Sequence, residues 1–301
     1  MNSLYYHYSL WLYGCFYLFI GKCVSGSTCV TVLSLYPTTE EERSLQGLYL
    51  GLNLHRQAAD GDLLIYSNYI ASLDGRISLT TEHSSQSQVP ADIINRRDWR
   101  LYQELAAQAD VMITSARYFR QLGRGEAQDL LPVGQEEEYA DLRDWRKSAG
   151  LKAQPDVLIL SNSLDIPVTA LKLLQGRRVL ICTGNRAESA RVAALQAVGA
   201  ELYLLDSPNV SGSAVKEMLI AQGYRSAYMI AGPQVHQTLI ADRVLDRLFL
   251  TTRLRLIGGI GFDTIVSGEI GGLTDLQLCS LFLDRNVSTS QLFAQYALQQ
   301  P

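Results

Sequence analysis

The stretch "DVLILSNSLDIPVTALKLLQGRRVLICTG", residues 156–184, decides the fold class. Its apolar run at 156–161 predicts a strand, 167–176 a helix and 177–184 a second strand. Downstream the rhythm repeats: helix at 186–200, strand at 201–206, helix at 211–224, strand at 226–233, helix at 234–242 and strand at 245–257. Upstream, "DLLIYSNYIASL" (62–73) predicts a strand rich in β-branched and aromatic residues. A helix at 95–109 opens after Asn95 as its cap and sets Trp99, Leu101, Leu105 and Ala106 at helical spacing. "DVMITS" (110–115) is a short strand, and the charged "GQEEEYADLRDWRKSAG" (134–150) reads as a solvated loop or surface helix. Strands and helices alternating across short glycine-marked links mean βαβ units around a mostly parallel sheet. The expectation is one α/β domain over residues 33–301 with helices on both faces, and "LQLCSLFLD" (276–284) as an antiparallel C-terminal edge.

Composition narrows the function classes. The 301 residues are 47% hydrophobic and 19% charged with a formal charge of −4, which leaves no basic footprint for nucleic acid. None of the five cysteines (Cys15, Cys23, Cys29, Cys182, Cys279) forms a C-x-x-C pair or has histidine at metal spacing, so no metal site is expected. Cys182, on an apolar strand, reads as a core thiol in a reducing, cytoplasmic setting. Residues 1–32 are read apart from the domain. "LYYHYSLWLYGCFYLFI" (4–20) is uncharged and near the minimum length for a membrane span, yet it lacks a basic flank and is rich in tyrosine. A membrane anchor and a cleaved export signal stay open. The preferred reading is an extension unrelated to the fold.

In a parallel sheet, ligands bind outside the carboxyl ends of the strands. Those ends carry Ser72-Leu73-Asp74-Gly75, Thr114-Ser115, Ser161-Asn162, Thr183-Gly184-Asn185 and Ala231-Gly232-Pro233. Small residues admit a ligand to the backbone, and hydroxyls with free N–H groups bind phosphate oxygens, so the set suits a nucleotide. Neither G-x-G-x-x-G after the first strand nor a P-loop occurs.

"ASLDGRIS", "ADVMITSARY", "DVLILSNSLDIP", "IAGPQVHQTLI" and "LDRLFLTTRLRLIGG", in this order over residues 60–284, resemble the C-terminal reductase domain of the bifunctional riboflavin-biosynthesis deaminase/reductase. The deaminase half's H-x-E and P-C-x-x-C zinc pattern does not occur. The resemblance implies a dihydrofolate-reductase-like fold, NADPH as cofactor and a homodimer. It also implies hydride transfer to the opened sugar of 5-amino-6-(5-phosphoribosylamino)uracil, giving the ribitylamino product. Carried over by position, Ala71 and the Ser-Leu-Asp-Gly turn border nicotinamide and substrate, with Asn68, Ser72 and Asp74 on the substrate side. Thr114, Ser115 and Ser161 line the cofactor, while Gly232, Pro233, Gln234 and Val235 cradle its phosphates at a helix N-terminus.

The chain departs from that family at substrate-facing positions. Asn68 stands where the family has lysine, Ile230 where it has glutamate, and Ala106 where it has a phosphate-facing arginine. Asp74 is then the catalytic candidate for moving a proton. A same-fold reductase of another carbonyl, imine or pterin-like substrate and a silent NADP(H)-binding protein are the alternatives. Arg117, Arg120 and Arg124 stand as a phosphate grip or a solvated loop, and His236 as a phosphate contact or packing. His55 and His83 read as structural and "GGIGF" (258–262) as a turn.

Overall fold

The structure, a computed structural model, describes residues 31–80, 87–174 and 176–299. Two regions named above, the apolar 4–20 segment and His83, lie outside them. Fourteen strands occur among the described residues, eleven of them in one sheet. Its order is β2 (Glu41–Ser44), β1 (Thr31–Tyr36), β13 (Leu276–Asp284), β14 (Gln291–Leu298), β11 (Arg247–Arg253), β3 (Leu64–Ser72), β10 (Ser226–Met229), β6 (Val111–Ser115), β7 (Asp156–Leu160), β8 (Val179–Thr183) and β9 (Glu201–Leu204). From β11 to β9 every neighbour is parallel, and from β11 outward to β2 every neighbour is antiparallel. A small second sheet joins β12 (Phe262–Asp263), β4 (Ser78–Thr80) and β5 (Ser87–Gln88).

The parallel strands explain the sequence rhythm. β7 and β8 are buried along their whole length, because helices cover both faces and leave no side for polar residues. On one face α6 (Gly212–Ala221) and α7 (Pro233–Ala241) cover Ile65, Ala71, Ile113 and Leu158. On the other, α1 (Arg96–Ala107) and α3 (Ala140–Ser148) cover Tyr66, Met112, Tyr228 and Phe249. Beside them α2 (Ala116–Gly123), α4 (Val168–Leu171) and α5 (Ser189–Gln196) cover Val157, Ile159 and Ile181. Asn95 caps α1 as expected, its Oδ1 accepting from the N–H groups of Arg97 (3.1 Å) and Asp98 (3.0 Å). Full burial of Leu101 and Leu105 fixes the helix to the sheet, each side chain contributing about 1.5–3 kcal/mol. The charged 134–150 segment is a surface helix in part, with Leu142 and Arg146 turned inward.

Two expectations change. The 276–284 strand is antiparallel but interior, flanked by β1 and β14, and the edge on that side is β2. β11 ends at Arg253 instead of running to 257: Leu254 turns off to donate to the Ser290 carbonyl, and the next residues are captured by the turn after β3. Thr31 and Val32, just ahead of the expected domain, pair with Ser44 and Arg43 in β2.

Candidate functional site

The chain leaves β3 through α1 to β6, steps outward to β9, then returns by α6 into the slot between β3 and β6 as β10. From there α7 carries it to β11 on the far side of β3. The order reverses at β3 and β10, and such a switch point opens a crevice at the carboxyl ends of the strands. Ser72 and Ser115 end β3 and β6 at that crevice, Ala231 follows β10 by two residues, and Ser161 lies one strand further out.

The Ser72–Arg76 turn is a closed unit. Gly75 takes φ +80°, a conformation glycine adopts without strain, and its N–H donates to the Ser72 carbonyl at 2.9 Å. Asp74 accepts from Ser72 Oγ (2.6 Å), Arg76 Nε (2.7 Å) and the N–H groups of Ile257 (3.2 Å) and Gly258 (3.0 Å). The Ser72 hydroxyl and the Gly258 N–H lead in holding this carboxyl well below the ordinary carboxylate range. Arg76 also donates to the Gly259 carbonyl and lies 4.1 Å over the Phe262 ring. "GGIGF" is an irregular link, with Gly258 at φ +69°, that leads into β12 at Phe262. Asp74, expected as the group that moves a proton, has all four of these donors within the turn and the 254–263 loop. A carboxylate with four donors stays ionised, and it ties the turn to the 254–263 loop. Ser72, 1% exposed, spends its hydroxyl on the same latch.

The expected cofactor residues divide by exposure: Gly232 and Gln234 are exposed, whereas Ala71, Thr114 and Ser161 are buried. Gly232 caps α7 through backbone alone, no acidic residue stands in the helix's first turn, and no atom lies within 4 Å of where a Cβ on Gly232 would be. The positive end of the helix is thus open, with Pro233 at its first position and Gln234 exposed. Val235 packs toward the core, and Ala71 is buried on the α7 face, opposite to Asn68 and Ser72. Thr114 is buried, and Ser115 precedes α2 with no side-chain cap bond. The Ser161 hydroxyl accepts from the Leu164 N–H at 3.0 Å and so shapes the turn after β7. His236 is packing: Nε2 meets Ser67 Oγ at 3.1 Å, Nδ1 donates to the Ile265 carbonyl at 2.6 Å, and burial pulls its pKa down to about 4. Cys182 is core, its thiol pushed up to about 11 by burial. Arg120 pairs with Asp165 and Arg124 with Glu126, away from the crevice-facing turn. His55 is buried against Trp145.

On the α1 face, the departures gather in one row. Met229 pairs with Ser67 on one side and Ile113 on the other, so the next residue, Ile230, stands level with Asn68 and Thr114. Asn68 and Ile70 are half-buried in the middle of an otherwise buried central strand, which places the opening of the crevice there. Ala106 is fully buried in α1, and its carbonyl accepts from Arg146. Sequence reasoning missed Asp98. It lies in the first turn of α1, three and seven residues before Leu101 and Leu105, and is therefore on the core stripe. A charged residue on that stripe was the available signal. Thr251 hydrogen-bonds its carboxyl, Arg253 faces it, and burial leads in raising its pKa to about 6.

The family described as the RibD C-terminal domain matches residues 64–283. A pyrimidine reductase-like protein of Corynebacterium diphtheriae is similar at a TM-score of 0.62 and 20% identity, over 79% of this chain and 93% of that one. RibD of Acinetobacter baumannii is similar at 0.57 and 15% identity, over 80% of this chain and 59% of that one. The riboflavin biosynthesis reductase of Saccharomyces cerevisiae is similar at 0.52 and 12% identity, over 84% and 99%. These structures share the dihydrofolate-reductase-like arrangement of sheet and helices described above.

Proposed function

The chain belongs to the RibD C-terminal domain family, and on that premise we propose that it is an NADPH-dependent reductase. Its substrate on this reading is 5-amino-6-(5-phosphoribosylamino)uracil or a close relative, reduced at the opened sugar. One observation carries the proposal: the open N-terminus of α7 follows β10 directly, at the switch point of the sheet. Gly232, Pro233 and Gln234 would receive the cofactor phosphates, and Ser115 with the strand ends its ribose side. When bound, the cofactor supplies a hydride to the carbonyl carbon. The protein's own part is to hold the sugar carbonyl near Asn68 and Ile70, exclude water under α1 and deliver a proton to the carbonyl oxygen.

The Asn68–Ile230 row supports a second reading, a reductase of the same fold acting on another carbonyl or imine. A neutral amide and an alkyl group stand where the resembled family sets a lysine and a glutamate. Cytoplasmic action and a homodimer belong to the proposal too. The dimer draws support from β13, where Leu278–Leu283 are only half-buried and Leu276 is exposed. The experiment uses the full-length protein: NADPH binding by nicotinamide fluorescence, then NADPH oxidation with and without the ribosylamino-uracil phosphate. Substrate-dependent oxidation is the expected result. Binding without oxidation supports the second reading, and absence of binding removes both.

A further inference from the structure

Three buried polar atoms on three different elements lack hydrogen-bond partners among the described residues: Asp98 Oδ1 on α1, the Tyr228 hydroxyl on β10 and Arg253 Nε on β11. Two of them lie together: Asp98 faces Thr251 and Arg253 on β11. Tyr228 sits deeper, level with Tyr66. The strands place Asp98 and Arg253 against the crevice, since Thr251 pairs with Ile70 and Arg253 with Ser72, on the face that also carries Asn68. Proteins pair nearly all buried polar atoms, so two left open side by side mark a site prepared for another group.

We propose that Asp98 is the proton donor of this reductase, taking the task that the substituted positions 68 and 230 cannot perform. The assignment rests on the reductase reading above. In the step, a hydride joins the carbonyl carbon and the C=O electron pair moves to oxygen. That oxygen takes the proton of the Asp98 carboxyl, which is left as carboxylate and regains a proton from water. NADPH is oxidised and the carbonyl reduced to the alcohol. Thr251 steadies the carboxyl from β11.

Burial and charge make the carboxyl suited to this. The groups that face it are Arg253 and Thr251 from β11, Tyr228 from β10, and Tyr49 from the segment before β3. Beyond them Asp284 is bound to Arg97 at 2.7 Å and to Gln291, which itself receives Arg253 Nη1 at 3.2 Å. Glu104, on the same helix, is taken up by backbone N–H groups of 47–50. Arg253 is thus shared with Gln291, and no cation makes a direct ion pair with Asp98 in the described set. Burial then outweighs the Arg253 charge, and the acid form persists toward neutral pH.

The test compares wild type, Asp98→Asn and Thr251→Val, following NADPH oxidation with the ribosylamino-uracil phosphate from pH 5 to 8. Wild-type turnover should fall above about pH 6, because only the protonated acid donates. Asp98→Asn should lose about 10²- to 10⁴-fold in kcat and all of that pH dependence, with NADPH affinity within about twofold. The Thr251 hydroxyl lowers the Asp98 pKa, so Thr251→Val should move the falling limb to higher pH, a change that a structural role would not cause. An Asp98→Asn protein within about threefold of wild type, or one that keeps the pH dependence, overturns the assignment. Wild type that oxidises no NADPH with this substrate removes the ribosylamino-uracil substrate instead. Infrared titration then decides Asp98 alone, through the carbonyl stretch of a protonated carboxylic acid that Asp98→Asn removes. A band that shifts on adding NADPH supports a carboxyl in the site. A band that ignores NADPH, or no band, overturns it.

Discussion

Two regions of this site carry a carboxylate, and they treat it in opposite ways. At the rim, the turn after β3 surrounds Asp74 with four donors, two of them N–H groups from the 254–263 loop. Beneath α1, Asp98 is enclosed by tyrosines, a threonine and one arginine that is shared with Gln291. Donors stabilise the charged form and make Asp74 a fixed anion. Burial with few donors penalises the charge and raises the pKa of Asp98 to about 6. The side chain is the same in both places, and its surroundings decide whether it anchors a loop or exchanges a proton.

The largest effect should separate the two. Asp98→Asn removes most turnover, as argued above, whereas Asp74→Asn should leave the pH profile where it is. Asp74 is ionised throughout the range in which Asp98 titrates, because its folded pKa is depressed. Its contribution to folding is present above the ordinary carboxylate value and is lost only as pH falls below it. The visible change in Asp74→Asn should be faster proteolytic nicking of the 254–263 loop. A shifted pH limb in that variant would reverse the assignment of roles.

Glu104 sharpens the contrast within α1 itself. Fully buried like Asp98, it accepts from the N–H groups of Gly47 (2.6 Å), Tyr49 (2.9 Å) and Leu50 (3.3 Å) and pairs with Arg100 at 2.9 Å. Glu104→Ala should cost about 3 to 5 kcal/mol in urea unfolding, since it strands three backbone donors, while Arg100 keeps Asp141. A loss below about 1 kcal/mol would mean that water replaces the carboxylate.

How much of this was legible follows from the same physics. Residues 156–184 declared strand, helix and strand, because β7 and β8 are buried on both faces and need continuous apolar residues. β14 gave no such signal: its "QLFAQYAL" mixes glutamine with apolar residues, since Gln291 and Gln295 are buried in polar contacts. β1 was hidden by the apolar run before it. Gly232-Pro233 was readable as a helix start with an open N-terminus. Asp98 was not, because an acid three residues after an asparagine cap is what any helix start uses. Only the closure of Tyr49, β10 and β11 over it makes that acid unusual.

A buried base should obey the rule with the opposite sign. His236 is held neutral, its pKa lowered from 6.5 to about 4 by burial. The unfolded chain binds the proton that the folded ring refuses, so stability falls as pH drops from 6.5 toward 4. The loss should reach about 3 kcal/mol. Chemical unfolding of wild type and His236→Gln at pH 7 and pH 4 measures it, and the variant should lose less between the two. Equal losses would place the acid sensitivity elsewhere.

The smallest change builds a third carboxylate where the structure has none. Gly232 stands at φ −72° with open space around its Cα, so Gly232→Asp introduces neither backbone strain nor a clash. The new side chain would cap α7 through the Gln234 N–H, since Pro233 has none and Val235 N–H already donates to the Gly232 carbonyl, and become an anchored anion of the Asp74 kind. Folding should gain by up to about 0.5 kcal/mol, since glycine is itself an acceptable cap. NADPH affinity should fall at least about tenfold, because the added carboxylate takes the Gln234 N–H and repels phosphate at the same helix end. Nicotinamide fluorescence titration at low and high salt reads this directly, and salt should recover part of the loss. Unchanged affinity in a protein of unchanged or higher stability would move the phosphates away from α7, and with them the cofactor side of the crevice.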